Sequence, residues 1–153
     1  MSSNVTYKYI RQNPDIHTYI KNADAAVKAQ GYTEHSFAHV EKVADTVKMI
    51  LEGLGYDERK VELGMIAAYL HDIGNVINRI DHAQSGAVMA FRLLDNLNMP
   101  AEEICDIISA IGNHDEGTAQ PLNAITAALI IADKTDVRRS RVRNIECLAQ
   151  DIH

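Results

Sequence analysis

The chain has 153 residues with 15 Lys+Arg against 21 Asp+Glu, a formal net charge of −6 when its 7 histidines are neutral. A chain of this length buries roughly 70% of its unfolded surface in one core, so a single domain over residues 1–153 is expected. Its 46% hydrophobic and 24% charged residues exclude disorder or collagen, its 2 cysteines exclude a disulfide scaffold, and its acidic balance disfavours polymeric nucleic acid, which is bound by neutralising phosphates.

Apolar residues recur at intervals of three and four without a convincing period-2 strand, which predicts an all-α bundle of about six to seven helices. After a polar start, a first helix is expected over about Pro14 to Gln30, stopped by Gly31, and a second over about Thr33 to Leu54. The second carries a stripe of Phe37, Val40, Val43, Ala44, Val47, Ile50, Leu51 and Leu54. A third, N-capped by Asp57, runs to about His71 and is apolar almost all round in its second half, which places it at the centre. A fourth covers about Asp81 to Leu97, a fifth starts at Pro100 and reaches about His114, a sixth runs from Leu122 or Asn123 to Asp136, and a seventh begins near Arg138. The longest apolar run, Ile125 to Ala132, is far below the roughly 20 residues of a bilayer span, so no membrane partner is expected. Cys105 lies in an apolar periodic stretch and reads as a core thiol, and without a signal peptide a cytoplasmic setting is expected.

Polar residues on apolar helical faces are the anomaly, because burial without a partner costs several kcal/mol. On a wheel of about 100° per residue, Asp133 falls within about 20° of Leu122 and about 40° of Leu129. His114 extends the line of Ile107 and Ile111, His39 borders the stripe of the second helix, His71 and Asp72 end the central helix, and His82 opens the fourth. Each alone has an ordinary structural explanation, such as a satisfied core histidine. Together, neutral imidazoles and one or two carboxylates are what a divalent transition metal takes without thiolate, and a bundle supplies such ligands from facing helices.

The elements in question are His35-Ser-Phe-Ala-His39-Val-Glu-Lys-Val43, Leu70-His71-Asp72-Ile73-Gly74, His82 to Gly86, Ile111-Gly-Asn-His114-Asp-Glu116 and Ile131-Ala-Asp133-Lys134-Thr-Asp136. In this order, over about Thr33 to Asp136, the sequence resembles the HD-domain metal-dependent phosphohydrolase superfamily. The resemblance implies an all-α fold and a metal held by His39, His71, Asp72 and Asp133. Relatives with the two intermediate histidines hold a second metal bridged by the Asp of the His-Asp pair, and His82 and His114 match those positions. Two departures stand out. Asp115 replaces the second His of the His-His-Glu found in cyclic-dinucleotide hydrolases, whose Gly-Tyr-Pro signature is missing too, and Asn75 stands where many members have Lys.

The implied activity is hydrolysis of a phosphoester or phosphoanhydride of a nucleotide or other small phosphorylated metabolite by metal-activated hydroxide. The cofactor would be one or two divalent ions, of Fe, Mn, Ni, Co or Zn, with Mg also allowed. Asp72 would be catalytic as the bridge, with His35 and Lys134 as further catalytic candidates near the substrate. Of the basic run Arg138, Arg139, Arg141 and Arg143, helical geometry lets at most one or two reach a phosphate, and Asp115 and Glu116 suit a general base or a residue supporting the ligands as well as a cap for the turn at Gly117. Two other readings stay open: a metal-binding regulatory module, and a di-iron oxygenase of the same superfamily. A homodimer is compatible with all three readings. Two divalent ions would move the formal charge from −6 to about −2, which favours a small anionic substrate.

Overall fold

The protein, described here by a computed structural model over residues 5–32, 36–115 and 122–136, is built from helices. In chain order they are α1 (Tyr7–Gln12), α2 (Pro14–Ala29), α3 (Phe37–Gly53), α4 (Glu58–Leu70), α5 (His82–Asn96), α6 (Ala101–Gly112) and α7 (Ala124–Thr135), with one 3-10 turn at Ile73–Val76. No strand occurs among the described residues, as the period-three-and-four pattern requires. The predicted helix from Arg138 lies outside them. The chain start, read from sequence as merely polar, instead forms α1. Thr6 Oγ1 accepts the Tyr9 N–H at 3.0 Å, and Asn13 Oδ1 then accepts from Asp15 and Ile16 to open α2 at Pro14, where a missing N–H leaves no bond unmade.

Local chemistry sets most boundaries. Asp57 and Asn123 cap α4 and α7 by accepting from Lys60 N at 2.8 Å and Thr126 N at 2.9 Å. Gly31 and Gly55 both take φ of +84° just past α2 and α3, so the following N–H groups of Tyr32 and Tyr56 turn back onto Val27 and Leu51 carbonyls. Two starts differ from expectation. Ser36 caps α3 in extended conformation, so the helix begins at Phe37 rather than Thr33, and Pro100 precedes α6 as its cap rather than its first residue.

Helix α4 is the hub. Of its 13 residues, Val61, Leu63, Gly64, Ile66, Ala67, Ala68, Tyr69 and Leu70 are buried, and it packs against α1, α3, α6 and α7. Around it Val40, Val43, Val47, Leu51, Ile107, Ile111, Ile125 and Leu129 complete one core. Burying each such side chain contributes about 1.5–3 kcal/mol, which is why the apolar stripes fix the packing order. Three residues placed on that core by the sequence pattern are not there: Leu54 and Leu122 are exposed beyond the ends of their helices, and Cys105 is exposed on α6. The buried line of α6 is Ile104, Ile107, Ala110 and Ile111, and Cys105 sits about 100° round from Ile104. Arg59 ties the outer layer together. Its guanidinium grips both oxygens of Glu103 at 2.7 and 2.8 Å and also donates to Glu62 and to the Val5 carbonyl. No helix among the described residues is long and apolar enough to cross a membrane.

Candidate metal centre

The C-terminal end of α4 projects His71 and Asp72 side by side. His71 closes the helix in right-handed conformation, and the chain then tightens into the 3-10 turn at Ile73–Val76, so the two side chains leave the helix end together. This turn lies directly on the start of α5. A Cβ on Gly74 would overlap the His82 carbonyl oxygen and lie 2.5 Å from the Gly86 backbone nitrogen. Only glycine permits the approach that brings His82 beside Asp72. His39 comes from the first turn of α3, His114 from just past α6, and Asp133 from the last turn of α7.

These side chains form two groups that share Asp72: His39, His71, Asp72 and Asp133 in one, and Asp72, His82 and His114 in the other. In the first, His39 Nε2 lies 3.1 Å from Asp133 Oδ1 and 3.4 Å from Asp72 Oδ2, while His71 Nε2 lies 3.1 Å from Asp72 Oδ2 and 3.4 Å from Asp133 Oδ1. Donors around one ion at about 2.0–2.2 Å sit about 3 Å apart, so these separations fit a shared cation. In the second, Asp72 Oδ1 lies 3.5 Å from His82 Nε2 and 3.6 Å from His114 Nε2, and those two nitrogens are 3.3 Å apart. Asp72 therefore turns one oxygen to each group.

The protonation pattern supports the same fit. Nδ1–H donates to the Ala68 carbonyl from His71 (2.6 Å), to the Arg79 carbonyl from His82 (3.0 Å), to the Ile111 carbonyl from His114 (2.6 Å), and to Asp136 Oδ2 from His39 (2.8 Å). A carbonyl or carboxylate can only accept, so each neutral ring presents its Nε2 lone pair to the cluster. Two such lone pairs 3.3 Å apart, on His82 and His114, repel unless a proton or a metal ion lies between them. His71 Nε2 is fully buried and lacks the alignment for a hydrogen bond, an orphan acceptor that a metal would satisfy. The donor chemistry, four imidazoles with two carboxylates, fits a divalent transition metal.

Electrostatics points the same way. Burial opposes charge on His39, yet the carboxylates of Asp133, Asp136 and Asp72 outweigh it and push the imidazole up to about 9. His71 is also lifted well above the ordinary histidine value, against burial, by the charges of Asp72 and Asp133. Burial alone would raise Asp133, but His71 and His39 hold it well below the usual carboxylate range. The metal-free cluster thus draws positive charge, and a metal entering it displaces protons.

The structure brings together all six sequence-predicted metal-ligand candidates. Lys134, the further catalytic candidate, is exposed on α7 next to Asp133. His35, Glu116 and the arginines at 138, 139, 141 and 143 lie outside the described residues. Asp133 is 30% exposed while the side chains of the other five are 5% exposed or less, so the cluster reaches solvent at the end of α7. Asn75, at the position of the family's common Lys, is buried. Its Nδ2 donates to the Asp72 carbonyl at 3.0 Å, and its Oδ1 accepts from Arg79, whose guanidinium also lies over the Tyr32 ring. Sequence reasoning missed Asp136 as a site residue, though it closes the motif that carries Asp133.

The comparisons with known proteins agree with this geometry. The HD domain family model matches residues 36–140. An uncharacterized protein of Methanocaldococcus jannaschii is 26% identical over 170 residues, an alignment covering 96% of this chain; the chain thus spans 65% of that relative's length. The crystal structure of a predicted HD superfamily hydrolase from an uncultured Thermotogales bacterium is similar with a TM-score of 0.59 and 25% identity, over 83% of this chain and 71% of that one. With the family model spanning most of the sequence and the His and His-Asp elements converging on two donor groups, the chain belongs to the HD domain family.

Proposed function

We propose that the protein is a cytoplasmic phosphohydrolase that cleaves a phosphoester or phosphoanhydride in a nucleotide or other small phosphorylated metabolite. The observation that supports this most is the division of Asp72 between two donor groups, Oδ2 toward one and Oδ1 toward the other. Divalent ions held there would supply Lewis acidity, which acidifies water and neutralises charge developing on a phosphoryl group. His39, His71 and Asp133 would hold one ion with Asp72, and His82 and His114 would hold the other with Asp72. Their Nδ1–H bonds lock the rings, so little reorganisation is left for the reaction. Burial of the imidazoles excludes bulk water, and exposure of Asp133 leaves a way in. Lys134, beside that opening, is the cation we assign to the substrate's remaining negative charge, with His35, one turn before His39 in the sequence, as a second candidate contact.

The test uses the full chain loaded in turn with Mn, Fe, Co, Ni, Zn and Mg and given a panel of nucleotides, phosphate monoesters and pyrophosphate compounds. Metal-dependent release of phosphate, abolished in Asp72→Ala, is expected. No release from any member, or release unchanged in Asp72→Ala, defeats the proposal. Oxygen consumption by the iron-loaded protein without phosphate release would instead favour the oxygenase, and metal binding with neither activity would favour a regulatory module.

A further inference from the structure

We infer that Asp136 is a positioning residue of this centre: it holds His39 from behind so that Nε2 faces the first donor group, and thereby raises that group's metal affinity. The inference rests on the reading that the two groups bind divalent ions, whatever reaction follows. Three of the four imidazoles are fixed within their own segment, because each donates Nδ1–H to the carbonyl three residues earlier at a helix end or in the turn before α5. His39 differs: it is the third residue of α3, and its Nδ1–H donates to an acceptor beyond its own helix.

Asp136 supplies it across 97 positions of sequence, with Oδ2 2.8 Å from Nδ1 and a carboxylate only 1% exposed. Asp133 Oδ1 meets the opposite nitrogen at 3.1 Å. Two carboxylates three residues apart at the end of α7 therefore grip both nitrogens of one ring. The ring stands between Asp136 and the cluster, so Asp136 acts through His39 rather than as a ligand. A carboxylate behind an imidazole fixes its tautomer and increases its basicity, and loss of such a partner typically costs about 10–100-fold in metal affinity. The second group lacks this support, since His82 and His114 lean only on backbone carbonyls.

The experiment is a Co(II) titration of the full chain at neutral pH, followed by visible absorption and calorimetry, for wild type, Asp136→Ala and Asp136→Asn. Wild type is expected to take up two equivalents. Asp136→Ala is expected to weaken one class of site about 10–100-fold and leave the other within about twofold. Asp136→Asn keeps an oxygen acceptor without the charge, so an intermediate loss and partial recovery of the Co(II) spectrum are expected. If the alanine variant does not fold, the asparagine variant alone decides. Wild-type affinity in the variants, or equal weakening of both classes, overturns the inference. So does failure of the wild type to bind Co(II). Co(II) binding without phosphate release removes the hydrolase proposal and leaves this inference standing.

Discussion

Replacing Gly74 by alanine tests how the two halves of the centre are joined. The new Cβ would overlap the His82 carbonyl oxygen and lie 2.5 Å from Gly86 N, where ordinary contact begins at 3.4 Å. Both obstacles are backbone, so no side-chain rotation relieves them. The 3-10 turn must move away from α5 by about 1 Å, at the upper end of the roughly 1–3 kcal/mol that overpacking costs. For a domain of this size each kcal/mol lowers Tm by about 2–4 °C, so Gly74→Ala should lose about 6–12 °C. Gly53→Ala is the control: its Cβ meets nothing within 4 Å, and removing a helical glycine there should be neutral or stabilise by up to about 1 kcal/mol. Thermal unfolding followed by circular dichroism, without metal, reads both. A Co(II) titration should then show the second group weakened more than the first, because His82 moves relative to Asp72. A Gly74→Ala protein melting within about 2 °C of wild type would refute the reasoning.

Because Asp72 serves both groups, Asp72→Ala should remove both classes of metal binding and reduce hydrolysis by more than about 100-fold, whereas His114→Ala should spare the first class; calorimetry separates the two. Metal at about 100 times its Kd should stabilise the protein by about 2.7 kcal/mol, and a chelator should reverse the rise in Tm; an unchanged melting curve would count against the site. Glu103 is held below its ordinary value of 4.5 by the hydrogen bonds from Arg59, which outweigh burial. The pair therefore adds stability above the unfolded glutamate value and loses it as pH falls through the lower folded value. Glu103→Gln should show lower urea midpoints than wild type at pH 7, with the gap closing in acid; a gap that is constant with pH would contradict the assignment.

The fold class, the helix order and the six polar residues on apolar faces were legible in the sequence from periodicity and capping residues, and the resemblance to the HD-domain superfamily implied that those six are ligands. His114 reads as a continuation of Ile107 and Ile111, and Asp133 as one turn past Leu129, whichever partners they meet. Weaker local signals misled. Cys105 belongs to an apolar stretch but not to its buried line, and α1 is too short for periodicity to declare itself, although the Thr6 cap and buried Ile10 mark it. Asp136 closes the motif that carries Asp133, but its position alone gave it no role. A carboxylate just past a helix is an ordinary C-terminal residue until the packing of α7 on α3 places it against His39 Nδ1.

Residue types and spacing by themselves thus determined that this acidic chain forms a helical bundle and carries a metal-type donor set, because burying an unpaired histidine or aspartate is costly wherever it occurs. Only the tertiary structure decided how those donors divide: which oxygen of Asp72 faces which group, which acceptor fixes each ring, and that Asn75 is committed to the Asp72 carbonyl. Those choices depend on distances between helices far apart in sequence, and such distances are set by the packing of side chains around α4, which no local pattern encodes.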